Sequence, residues 1–401
     1  MKFGIIKERK NPPDRRVVLT PQTCQTVKKK YPSAAIIVEP SNIRIFKDED
    51  YASAGFELSE NMQQCDVLLG VKEVPIEALI PNKKYFFFSH TIKKQPYNKK
   101  LLQAVLAKNI ELYDHEVITN TNGQRLVAFG RYAGIVGAYN GIRAYGLKFE
   151  LFELPKAEHL PNMQALIDAL QRIHLPAIKI LLTGKGRVGS GAKEILDAMK
   201  LKEVSVEDYL TNNFNKPVYC QIDVLDYNKR KDGKDADVTD FYQNPSAYQS
   251  NFMRFAKVTN FYIAGHFYGD GAPYLYTRED VKSEKFNIQV VADVSCDIDG
   301  PVATTIRPST IASPIYGYNP ETEEETNFKN KEAIAVMAVD NLPCELPANA
   351  SEGFGESFVK YVIPSFFNND KDGILERAKM TSNGQLTKRY AYLQDYVDEK
   401  E

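Results

Sequence analysis

In the first third of the chain, ionisable residues recur where short apolar runs end. The runs KFGII, AAIIV, DVLLGV, YFFFS and IELYD pass into Lys7-Glu8-Arg9, Glu39, Lys72-Glu73, His90 and His115-Glu116. Histidine exchanges protons near neutral pH, and a lysine joins such transfers once burial or neighbouring cations lower its pKa. Carboxylates beside them attract ammonium groups. These residues are far apart in sequence, so only the elements that carry them can gather them. Near-continuous apolar runs with amphipathic stretches between them predict a parallel α/β sheet, its first helix opened by Pro21. In such a sheet the C-terminal strand ends share one edge, and ligands bind in the crevice outside it. Taken singly, each polar exit is compatible with a strand reaching the surface; five together point to a site.

A second α/β unit starts near residue 177, where AIKILLTGKGRVGSGAKEILDAMK reads as strand, glycine loop and helix. Gly184, Gly186 and Gly189 form G-x-G-x-x-G around Arg187 and Val188, the context of the dinucleotide fingerprint. One glycine makes the turn, one admits the pyrophosphate and one packs helix on strand, while the helix N-terminus faces the phosphates. The acid expected about 20 residues further on is met by Glu207 or Asp208, although S-V-E-D also fits a capping box. Arg187 keeps a 2′-phosphate in play, so the cofactor reads as NAD or NADP.

The 401 residues are 43% hydrophobic, enough for about two domains, and 51 basic against 52 acidic residues leave a formal charge of −1. That balance argues against nucleic-acid binding. Five scattered cysteines without C-x-x-C spacing argue against a disulfide framework or zinc site and favour a reducing, cytoplasmic setting. The opening MKFGIIKERK turns charged early and no apolar run nears the ~18 residues of a span, so neither a cleavable signal nor a membrane segment is expected. His115, His159 and His174 lack ligand spacing, and no metal is expected. His266 reads as structural and Cys296 as packing. Glycines and alanines in 131–148 predict a close-packed helix crossing between domains, 228–237 a solvated loop and 321–326 a charged turn. Strands are expected within 258–267 and 286–295, and a helix cut by Pro364 within 351–367.

Several segments together resemble a known superfamily. KERKNPPDRRVVLTP resembles the opening signature of the alanine dehydrogenase, transhydrogenase and saccharopine dehydrogenase group. VLLGVKEVP, YFFFSHTIK, GQRLVAFGRYAGIVGA, VVADVSCDIDGP and AVDNLPCELPANASEGFGE then follow in the order of lysine-forming saccharopine dehydrogenases. They are also similar to the lysine–2-oxoglutarate reductase half of the bifunctional aminoadipate semialdehyde synthases, whose second half is expected to be absent from this chain.

The resemblance implies two Rossmann-like domains with parallel sheets and an interdomain cleft that holds the active site. Residues 1–132, joined by about 345–401, would form the substrate domain, and 133–344 the dinucleotide-binding domain. It implies interconversion of saccharopine with L-lysine and 2-oxoglutarate. Lys72 and His90 match the acid–base pair, Arg16 the carboxylate-binding arginine with Arg15 as its spare, and Asp297 a substrate-site aspartate. Glu73 and Glu116 match acidic positions beside the lysine-binding region. An alanine dehydrogenase would share Lys72, His90, Arg16 and Asp297 without needing that acidic subsite. A non-catalytic nucleotide-binding homologue would keep the glycine loop alone. The expected partners are small amino and oxo acids; a homo-oligomer is compatible with the sequence.

Overall fold

The computed structural model describes residues 1–400. The chain divides into two compact units: unit 1 comprises Met1–Phe129 and the chain from Pro347 onward, and unit 2 is Gly130–Leu346.

Unit 1 is built on β1 (Lys2–Ile5), β2 (Ala35–Val38), β3 (Glu57–Leu58), β4 (Val67–Leu69), β5 (Lys84–Phe87) and β6 (Glu111–Asp114). All pair in parallel, in the order β3-β2-β1-β4-β5-β6. Phe3, Ile5, Val67, Leu68, Leu69, Tyr85, Phe86 and Phe87 are buried, as strands covered on both faces require. The order reverses between β1 and β4, which places the switch-point crevice outside their C-terminal ends. Thr20 caps the helix Pro21–Lys30 by accepting the Thr23 amide at 3.2 Å, with Pro21 in the first turn. The helix Pro347–Tyr361 returns to this unit, where Ser351 Oγ accepts the Val17 amide at 2.9 Å. It stops before Pro364, which sits in a following 3₁₀ turn.

Unit 2 carries β7 (Lys179–Thr183), β8 (Lys202–Glu203), β9 (Val218–Ile222), an antiparallel ribbon of β10 (Asn228–Arg230) and β11 (Tyr248–Ser250), then β12 (Phe261–Ala264), β13 (Val290–Asp293), β14 (Ile315–Tyr318), β15 (Glu325–Thr326) and β16 (Ile334–Met337). The main sheet runs β15-β14-β16-β13-β12-β7-β9-β8; β14 lies against the direction of its two neighbours and the other pairings are parallel. The small residues of the helix Gly130–Lys148 have a clear purpose. A Cβ at Gly134 would stand 1.9 Å from the Val188 carbonyl oxygen, and one at Gly191 would stand 1.9 Å from that of Arg131, so this helix and Arg187–Ala198 touch backbone to backbone. The stretch 228–237 begins as ribbon strand β10 rather than as open loop, because Arg230 pairs with Asp232 and Asp240 while its guanidinium lies over Tyr248. Among the described residues no helix is long and apolar enough to cross a membrane.

Candidate active site

The edge beyond β1, β4, β5 and β6 draws together most of the ionisable strand exits. Glu8, just past β1, accepts the Val71 amide at 2.7 Å and the Lys72 amide at 2.9 Å, pinning the chain where β4 ends. Burial, then the negative Asp14, raise the Glu8 carboxyl to about 7, although both amides and Arg16 oppose the shift. On the next strand end, Asp114 accepts the Ser89 amide at 2.8 Å and the Ser89 hydroxyl. Asp114 is fully buried, and burial raises its pKa. The segments bearing Lys72 and His90 are therefore each held by a carboxylate from a flanking strand.

Glu73 links the two segments. Its Oε1 lies 2.6 Å from His90 Nδ1 and its Oε2 accepts Lys10 Nζ at 2.9 Å. Burial works against ionisation of Glu73, but the hydrogen bonds from His90 and Lys10 outweigh it and hold the carboxyl at about 2. An ionised acceptor at Nδ1 keeps that proton in place and directs Nε2 to exchange. His90 itself has φ of 53°, in the left-handed region, so the ring leaves the strand line where the chain turns. Glu116 is nearly buried; its Oε1 accepts Arg125 at 2.7 Å and pairs with Lys93 at 3.4 Å, while Oε2 is buried with no hydrogen-bond partner. Burial raises its pKa, but the Arg125 and Lys93 cations prevail and lower it.

Arg16 sits deeper than a solvent-facing clamp, at 3% exposure. Its Nε and a terminal nitrogen bond the two Asp14 oxygens at 3.0 and 2.6 Å, and its guanidinium lies 4.2 Å from the Phe129 ring centroid. Arg15 points to solvent instead and lines a groove with Glu8, Lys10, Ser41 and Asn42. His115 Nε2 bonds the Gly70 carbonyl at 2.9 Å, its ring is enclosed by Phe88 and Phe354, and burial lowers it to about 4, a neutral structural residue.

In unit 2 the glycine loop follows β7 at the second order reversal, between β7 and β12. Gly184 has φ of 92°, and a Cβ there would stand 2.5 Å from the Gly265 carbonyl oxygen. A Cβ on Gly189 would lie 2.0 Å from the Gly184 carbonyl oxygen. Gly186, by contrast, caps the helix Arg187–Ala198 and has nothing within 4 Å of its Cβ position. Two glycines thus shape the turn, while the third faces an open cradle beside a helix N-terminus that fits a pyrophosphate. Arg187 and Val188 occupy the first turn of that helix.

Asp208 stands apart from this edge. It lies in the helix Val206–Thr211, bonds Ser205 Oγ at 3.0 Å and accepts Asn212 at 2.8 Å, so S-V-E-D is a helix cap. On the side of β7 away from β12 lies β9, and the acid at its end is Asp223, which the sequence reading missed; it caps the short helix Val224–Tyr227 by accepting the Val224 amide at 2.8 Å. Its signal was an apolar run, VYCQI, closing on a carboxylate. His266 follows β12; Nδ1 lies 2.9 Å from Thr183 Oγ1, Nε2 has no hydrogen-bond partner, and burial lowers it to about 4. Asp297 is half-buried in the loop after β13, where Asp293 is fully buried and accepts the Ser295 and Thr305 hydroxyls at 2.6 and 2.7 Å. Among the described residues no group of three or more His, Cys, Asp or Glu is placed to hold a metal ion.

Two sheets, one wholly and one mainly parallel, each with its switch point and one with a glycine cradle, define an α/β architecture of Rossmann type. Residues 4–136 match the family model described as alanine dehydrogenase/PNT, N-terminal domain, and residues 169–391 match its C-terminal domain counterpart; the chain belongs to this family. It is 29% identical to the mitochondrial alpha-aminoadipic semialdehyde synthase of Mus musculus, covering 100% of this chain but only 48% of that protein. It is 26% identical to the saccharopine dehydrogenase (NAD(+), L-lysine-forming) of Yarrowia lipolytica, covering 88% of this chain and 89% of that one. An L-alanine dehydrogenase structure shares the fold over the whole of both chains, with a TM-score of 0.66 at 16% identity.

Proposed function

We propose that the chain is an NAD(P)-dependent oxidoreductase that interconverts saccharopine with L-lysine and 2-oxoglutarate. The observation that carries the reading is the gathering of Lys72, Glu73, His90 and Glu116 at one edge of the unit 1 sheet, with His90 locked on Glu73. The orphaned Glu116 Oε2 supports it, since a buried acceptor without a donor suits a substrate ammonium. Relatives named for lysine-forming saccharopine dehydrogenase and alpha-aminoadipic semialdehyde synthase support the substrate class.

Condensation begins when a neutral amine adds to the keto carbon, and the carbinolamine then loses water to give an imine. In this reading His90 Nε2 takes the amine proton and returns it to the departing hydroxyl, and the Glu73 contact at Nδ1 supports the role by stabilising the imidazolium in between. Lys72, fixed by its backbone, supplies the second proton-transfer group. Arg15, exposed in the groove beside Lys10, provides the cation for an oxo-acid carboxylate, because the Arg16 guanidinium is already neutralised by Asp14. The open face of Gly186 and the N-terminus of the helix Arg187–Ala198 would hold a reduced nicotinamide cofactor, which would supply the hydride for reduction of the imine. The acid at the end of the strand beside β7 accepts ribose hydroxyls in such folds, so Asp223 rather than Asp208 favours NAD over NADP.

Nicotinamide absorbance of the purified chain with L-lysine and 2-oxoglutarate, with NADH or NADPH, tests the reading. Turnover with pyruvate and ammonia alone would instead mark an alanine dehydrogenase, and cofactor binding without turnover a nucleotide-binding homologue. In the active protein, Lys72→Met and His90→Gln should each lower kcat by roughly 10²-fold or more.

A further inference from the structure

Glu8 takes no part in the scheme above, yet it is the residue that joins β1 to β4 across the switch point. Both of its carboxylate oxygens are engaged, one by the Val71 amide and one by the Lys72 amide, at 2.7 and 2.9 Å. An acceptor shared by two successive amides fixes the backbone from which Lys72 projects. Asp114 does the same for the His90 strand through Ser89, but it is sealed from solvent, whereas Glu8 is only partly buried and lines an open groove. The charges acting on Glu8 are Asp14 and Arg16 from the loop after β1; Lys72, at the end of β4, meets it through its backbone amide and acts by charge on Asp14, and Arg15 shares the groove. Lys7 and Arg9, its neighbours in sequence, pair with Glu39, and Lys10 pairs with Glu73.

We infer that Glu8 is a positioning residue whose ionised carboxyl clamps the Lys72 backbone, and that protonation of Glu8 releases one of the two amides and loosens Lys72. A neutral acid keeps one good acceptor oxygen, while its hydroxyl oxygen accepts poorly. Burial and Asp14 bring this change to about pH 7, within the working range of amine chemistry. The inference rests on the proposed role of Lys72, but its physical core, a titrating clamp, is measurable without turnover.

Amide resonances of the ¹⁵N-labelled protein are followed from about pH 5 to 9. The Val71 and Lys72 amides should move together through one transition near pH 7, and that transition should vanish in Glu8→Gln. Flat amides, or the same transition in Glu8→Gln, would overturn the clamp. In steady-state assays, wild-type kcat should fall on the acid side of the same pH. Glu8→Gln should lose that limb and run roughly tenfold slower with an unchanged KM for the oxo acid. A wild-type profile in Glu8→Gln would overturn the positioning role. Wild-type protein that shows the amide transition but turns over neither substrate pair would reject the functional reading while leaving the clamp standing.

Discussion

At Asp14, burial would keep the carboxyl protonated, yet the Arg16 guanidinium bonded to both of its oxygens holds it at about 2 against an ordinary 3.8. A depressed carboxyl contributes stability that is fully present above the unfolded value and is lost as pH falls through the folded one. The window here lies between about pH 4 and pH 2. Asp14→Asn also deprives a buried guanidinium of its carboxylate, so it should cost about 3 kcal/mol in urea unfolding at neutral pH. Its deficit against wild type should shrink across that window; a constant deficit would mean that the cost is one of packing. The Asp14–Arg16 contact was not legible in the sequence, because neighbours in a loop give no sign of which arginine turns inward. Asp114 was hidden for a related reason: in sequence it is the last residue of an apolar run before His115 and Glu116, and nothing local shows that it holds the neighbouring strand end through Ser89.

Elements were easier to read than contacts. Strands buried on both faces appear as unbroken apolar runs, which is why β1, β4, β5, β7, β12 and β13 lie inside the segments expected to hold them. Asp223, at the end of β9, escaped the sequence reading because the two-residue strand β8 and the helix Val206–Thr211 come between the glycine loop and β9. The usual spacing of about 20 residues therefore lands on a helix cap rather than on the strand beside β7. The glycines now separate into two kinds with different predicted behaviour. Gly134→Ala or Gly191→Ala forces apart two helices in backbone contact and should cost about 1–3 kcal/mol or more, seen as a lowered melting temperature. Gly186→Val meets open space, so it should melt like wild type while failing to bind NADH in a fluorescence titration. Unchanged NADH affinity would remove the cofactor assignment.

On the scale of the whole molecule, unit 1 is discontinuous in sequence and unit 2 is not. Phe354 and Phe358 cover His115 and Phe86, and Ser351 satisfies the Val17 amide, so the returning helix completes the unit 1 core. A fragment of residues 130–346 should therefore unfold cooperatively by circular dichroism, whereas 1–129 alone should not; a cooperative transition in 1–129 would show that the returning helix is dispensable. The same connectivity sets a timetable during synthesis. At roughly 5–20 residues per second, all of unit 2 must be made, taking roughly 10–40 s, before the segment that seals the first sheet leaves the ribosome. For that interval the nascent first unit offers Phe86 and its neighbours to any passing apolar surface, which makes it a natural client for chaperones. Slowing translation across unit 2 should lower the yield of folded protein more than slowing it within the first hundred or so residues.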